Sequence, residues 1–157
     1  MNLKLETILG KPLEYIKELV LDFENDKVSK TFKLRFEYHF FGMIYNQISI
    51  DVTDDNRIKS VYINFQRLLN QPDLNNIISQ YGVPNHMKVK DILLTEDISN
   101  SSEANFKQQT TKRTYSLKEG SLDDKPTFIL WNQETFSLKF MLYYKQNGMQ
   151  LMFNKND

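Results

Sequence analysis

At 157 residues, 40% hydrophobic and 25% charged, the chain has the size and composition of one globular domain and not of a disordered segment. Lys plus Arg and Asp plus Glu stand at 20 each with no basic run, which argues against nucleic acid as a partner. The absence of Cys excludes disulfides, thiolate metal sites and a cysteine nucleophile, and no stretch approaches the roughly 18 apolar residues of a membrane helix.

The N-terminus, from Met1 to Thr7, has no apolar run long enough for a signal peptide, so a cytoplasmic location is expected unless a leader has been trimmed. Leu5 to Leu9 reads as a short helix stopped at Gly10, the residue that reaches a left-handed cap without steric cost. Pro12 then fits the first turn of a second helix. Leu13, Ile16, Leu19, Val20 and Phe23 recur at helical spacing opposite Glu14, Lys17 and Glu18, and Asn25-Asp26-Lys27 closes the run.

Period-two alternation follows. Phe32, Leu34, Phe36, Tyr38 and Phe40 share one face of a strand, with Lys33, Arg35, Glu37 and His39 on the other. After a turn at Gly42, Ile44, Ile48, Ile50 and Val52 continue the pattern. Asp54-Asp55-Asn56 is turn chemistry, and Ile58 to Phe65 is a third strand. The first half therefore reads as two helices and a three-stranded meander.

A helix is expected from Leu74 to Tyr81, with Asp73 as its N-cap and Gly82 as its C-terminal cap. Residues 86–94 fit helix or strand equally. Residues 95–112 are polar, rich in Ser, Asn and Gln, and without sustained periodicity, so they read as a mobile loop. Arg113 to Leu117 suits a short strand. Three strands then close the chain at Phe128 to Trp131, Thr135 to Tyr144 and Met149 to Phe153, with Asn147-Gly148 as a hairpin dipeptide.

Both halves carry a short helix ending in Gly-x-Pro, at Gly10-Lys11-Pro12 and Gly82-Val83-Pro84, and both end in a strand meander. A duplication with one loop insertion accounts for this: one domain over 1–157, a first repeat over 1–70, and a second over 71–157 that holds the polar loop 95–112. The fold class expected is α+β, two similar helix-plus-antiparallel-meander halves with helices on one face of the sheet. The Gly-x-Pro closure and the acidic turn leading into Asp55-Asn56-Arg57-Ile58-Lys59-Ser60-Val61 resemble the tandem repeats of β-lactamase inhibitor protein and of the SmpA/OmlA-type outer-membrane assembly lipoproteins. The resemblance implies an antiparallel sheet with one open face and a role in binding other proteins. It carries no functional residue to a numbered position, and the lipoproteins' lipid-bearing cysteine is missing here.

Catalytic chemistry finds little support. His39 and His86 lack ligand-spaced neighbours, and Asp54-Asp55 and Asp123-Asp124 sit in turns without calcium-loop spacing. Gly-x-Ser-x-Gly and a glycine-rich phosphate loop are absent. No catalytic residue, metal site or cofactor is expected. The aromatics are the remaining signal, because neighbours such as Phe40-Phe41 and Tyr143-Tyr144 point to opposite faces of a regular strand. Phe41, Tyr45, Tyr62, Trp131 and Tyr143 are accordingly the candidate protein-binding residues. The function expected is a non-enzymatic protein-binding module of the inhibitor or toxin-immunity type, whose partner is another protein, a toxin or an enzyme. A small-ligand or lipid-binding module with a pocket between sheet and helices is the alternative, followed by a cell-envelope assembly factor.

Overall fold

The computed structural model describes residues 2–24, 30–103 and 106–157. Eight strands form one antiparallel sheet: β1 (Thr31–Phe40), β2 (Met43–Val52), β3 (Ile58–Phe65), β4 (His86–Glu103), β5 (Phe106–Glu119), β6 (Phe128–Asn132), β7 (Phe136–Tyr143) and β8 (Gly148–Lys155). Their order across the sheet is β1-β2-β3-β8-β7-β6-β4-β5. Among the described residues a single α-helix, α1 (Gln71–Tyr81), connects β3 to β4.

The expected α+β architecture of two matched helix-plus-meander halves is therefore wrong. One sheet with one α-helix replaces it, and the two parts of the chain contribute three and five strands. The two N-terminal helices do not form; only single 3₁₀ turns stand there, at Leu5–Thr7 and Leu13–Ile16. The physical reason is where the backbone bonds go. Gly10 N–H donates to the Ile58 carbonyl (2.7 Å), Ile58 N–H to Lys11 (2.8 Å) and Leu13 N–H to Asn56 (3.0 Å). Further on, Leu21 N–H donates to Lys33 and Arg35 N–H to Leu19, both at 2.9 Å, so this stretch lies along the edge of β1. Sheet contacts out-compete a short helix that must also meet its own nucleation cost. The helical spacing of Leu13, Ile16 and Val20 still serves burial, because all three are fully enclosed. The helix end expected at Asn25-Asp26-Lys27 lies outside the described residues.

Alternation places the core correctly for most strands. Leu138, Phe140 and Leu142 on β7, Met149, Leu151 and Phe153 on β8, and Ile129 and Trp131 on β6 all turn inward. They meet Leu5, Ile8, Leu13 and Ile16 from the N-terminal segment and Leu74 and Ile77 from α1. Phe36 and Ile44 depart from their expected faces and are 61% and 56% exposed. A register shift in β1 between Lys33 and Tyr38 inserts extra residues against β2 and swings Phe36 out.

The N-cap of α1 is Asn70, whose side chain accepts from Asp73 N–H at 2.9 Å, and not Asp73 as the sequence suggested. Asp73 instead pairs with Arg67 in the first turn. Gly82 ends the helix with φ of 82°, a conformation that favours glycine.

The largest departure concerns residues 95–112. They are not a loop but the body of a long two-stranded ribbon formed by β4 and β5, paired from Lys88↔Glu119 out to Glu103↔Phe106. Its polar residues face one another in matched types: Thr95↔Thr114, Glu96↔Arg113, Asp97↔Lys112 and Ser99↔Thr110. The ambiguous residues 86–94 resolve as the beginning of β4.

Candidate protein-binding surface

The face of the sheet turned away from the core follows from the strand register. One row runs Tyr62, Met152, Lys139, Leu130, His86 across β3, β8, β7, β6 and β4. A neighbouring row runs Asn64, Gln150, Met141, Phe128, Lys88, Glu119 and so reaches β5. Tyr62, Met152, Met141, Phe128 and Leu130 are all half-buried, and none belongs to the enclosed core. Lys139 Nζ sits 4.4 Å above the Phe128 ring, Gln150 donates to Asn64 at 3.0 Å, and the Tyr62 hydroxyl donates to Asp51. Apolar bodies with short, satisfied polar groups between them make a face that loses water readily.

The second row leads into the ribbon. At its root, the Glu119 carboxylate accepts from Lys88 Nζ (2.6 Å), meets His86 Nδ1 (2.9 Å) and accepts from Met87 N–H (3.0 Å). Those donors hold its pKa down from the ordinary 4.5 to about 2, the Lys88 bond first and the His86 bond second.

Beyond it, the cross-strand pairs Lys90↔Leu117 and Leu93↔Tyr115 carry the same face outward, with Lys90 Nζ 4.7 Å from the Tyr115 ring centre. The register shifts twice between Lys90 and Thr95, each time with an extra residue on β4. These bulges set Ile92, Leu93 and Leu94 apart from the regular pleat, and all three are exposed. Ile98, Phe106 and Leu117 are exposed as well. From Asp91 to Glu119 no described side chain is buried.

The five residues singled out from sequence are not brought together. Trp131 is completely buried, its indole N–H donating to the Gly82 carbonyl at 2.8 Å, so it anchors α1 to the sheet and offers nothing to a partner. Tyr45 is buried too, against Tyr38 and Phe65, because its strand position faces the core. Phe41 occupies the β1–β2 turn at φ of 47° and packs edge-on to Phe40 and Tyr81. Tyr62 and Tyr143 alone lie on the outward face, Tyr143 four residues along β7 from Lys139. Sequence reasoning missed the apolar residues of the ribbon. The run Ile92-Leu93-Leu94 between charged neighbours was the available signal.

Among the described residues no group of three or more His, Cys, Asp or Glu side chains is placed to hold a metal ion. No helix among them is long and apolar enough to cross a membrane. Comparison with known proteins finds no matching family model, no matching curated protein and no matching solved structure.

Proposed function

We propose that this chain is a non-enzymatic protein-binding module, of the inhibitor or immunity type, that docks another protein on the outward sheet face and the root of the ribbon. One observation carries the reading. Between Asp91 and Glu119 the β4–β5 ribbon has no buried described side chain while holding six exposed large apolar residues, Ile92, Leu93, Leu94, Ile98, Phe106 and Leu117. A two-stranded ribbon is marginal in water by itself, and such side chains are costly to display without a use.

The outward face adds rigid area beside it. Tyr62, Phe128 and Leu130 are held by paired strands, so little conformational entropy is lost when a partner settles on them. Met141 and Met152 supply adaptable contact next to those fixed rings. Capture from a native extract tests the proposal by comparing the intact protein with a Tyr62→Ala/Leu93→Asp variant. Both substitutions fall outside the core, so thermal stability is expected to stay within a few degrees. The intact chain should retain a protein that the variant loses. Identical capture by the two would remove the outward face from consideration.

A further inference from the structure

We infer that the outward face from β8 to the ribbon root takes an acidic protein surface, with one carboxylate for Lys139 and another for Lys90. This rests on the docking reading above and names the chemistry of the partner.

The strand register sets which charges share this face. On β8, β7, β6 and the root of the ribbon, the outward positions carry three lysines, Lys139, Lys88 and Lys90, against one carboxylate, Glu119. The whole chain is formally neutral, so this is a local excess. The carboxylate is already engaged, by Lys88 at 2.6 Å, His86 at 2.9 Å and the Met87 N–H at 3.0 Å. Lys88 is thereby matched. Lys139 and Lys90 form no ion pair among the described residues. Each ammonium stands over a ring instead, Lys139 at 4.4 Å from Phe128 and Lys90 at 4.7 Å from Tyr115.

A ring shields one side of an ammonium and leaves its other N–H groups to solvent. A partner that settles on this face removes that solvent. An apolar partner would strand both charges, and burying an unmatched ammonium costs more than a ring returns. A partner carboxylate at each lysine turns the same burial into charge-assisted hydrogen bonds. A basic partner would meet repulsion from the excess already there. Only two cations are unmatched, which is too few for a nucleic-acid backbone that draws on many phosphate contacts.

The register also gives the spacing of the two acids. Lys139 stands opposite Leu130, Leu130 stands opposite His86, and Lys90 lies further along β4 from His86. Two strand spacings and the rise from His86 to Lys90 put the lysine Cα atoms roughly 17 Å apart. Phe128, opposite Lys88 on β6, falls near the middle of that line. An apolar partner residue therefore belongs between the two acids.

The methionines supply the readout, because Met141 and Met152 lie on this face while Met43 and Met149 are buried on the other. Methyl NMR of the full-length chain is followed during titration with a synthetic heptapeptide that alternates Glu with Leu and Phe, and with its Lys counterpart. The acidic peptide should shift the Met141 and Met152 methyls and leave Met43 and Met149 in place. The basic peptide should need a roughly tenfold higher concentration or more for the same shift. Lys139→Gln/Lys90→Gln changes no core residue, so it should unfold at the parent's temperature and erase the difference between the peptides. Equal response to both peptides, no response to the acidic one, or a difference that survives the double substitution would each overturn the inference. A single-stranded DNA decamer that displaces the acidic peptide would do the same. Failure here is separable from failure of docking. An extract partner lost with Tyr62→Ala/Leu93→Asp but kept by Lys139→Gln/Lys90→Gln would leave docking standing and overturn the acidic chemistry alone.

Discussion

Replacing residues 91–116 with Asn-Gly, so that Lys90 and Leu117 close a short hairpin, removes nearly all of the ribbon. No described side chain between Asp91 and Glu119 is buried, so the excision takes nothing from the core. The Asp91–Lys118 ion pair is lost, and with exposed partners it contributes no more than about 1 kcal/mol. Against this, the connection shrinks from 26 residues to 2, which lowers the loop-closure cost by about 2 kcal/mol on the logarithmic rule. The balance is small and favours the shortened chain by about 1 to 2 kcal/mol. It should unfold in urea as cooperatively as the parent, with stability equal to the parent's or up to about 2 kcal/mol above it. A loss above about 3 kcal/mol, or a broadened transition, would mean that the ribbon belongs to the core and would refute the reasoning.

Three other outcomes follow from particular contacts. The Tyr45 hydroxyl is buried without a hydrogen-bond partner among the described residues, and burial, then Tyr38 and Glu6, push its pKa above the usual tyrosine range. Tyr45→Phe should therefore stabilise the fold by about 1 kcal/mol in denaturant titration, and a loss of similar size would reveal an unseen partner for that oxygen. Trp131→Ala should cost about 3 to 5 kcal/mol, because it empties a fully enclosed site and leaves the Gly82 carbonyl without its donor. For Glu119 the folded pKa lies below its ordinary value, so its stabilising effect is complete above about pH 4.5 and fades as pH falls toward about 2. NMR titration should place its midpoint near 2, and Lys88→Ala should move that midpoint upward. A midpoint already at the ordinary value would dissolve the proposed root cluster.

What the sequence revealed follows from how much of each strand is wet. β7 and β8 have one dry face and one moist face, so apolar residues recur at every second position and their strands were legible. The distal ribbon has water on both faces, so the rule that identifies half-buried strands has nothing to detect. Ser99 to Gln109 consequently reads as a loop although every described residue in it is paired. The N-terminal segment failed for the opposite reason. Leu13, Ile16 and Val20 carry a true burial signal at helical spacing, but long-range bonds to β1 and to the approach of β3 set the backbone. No local pattern records such bonds.

The candidate site suffered in a related way. Neither aromatic pair lies wholly in a regular strand: Phe41 sits in the β1–β2 turn and Tyr144 in a 3₁₀ turn, and both pack against the core, while Tyr62 and Tyr143 face outward. Tyr45 and Trp131 have no aromatic neighbour in the sequence, and nothing local records that their strand positions face the core. The apolar residues of the ribbon show in the sequence as the run Ile92-Leu93-Leu94, but nothing in that run says that it is exposed. Their exposure depends on β6 beginning at Phe128 and pairing β4 only from His86 to Lys88, a limit set by the sheet and not by the ribbon's own sequence.

The central claim is that a partner protein meets the outward face and the ribbon root, and photo-crosslinking from single positions in the native extract tests it most directly. Probes at Tyr62 and Leu93 should give one discrete protein adduct in common. Probes at Tyr15 and Val83, exposed but set on the N-terminal segment and after α1, should give none. The same adduct from all four positions, or adducts only from Tyr15 and Val83, would contradict the account.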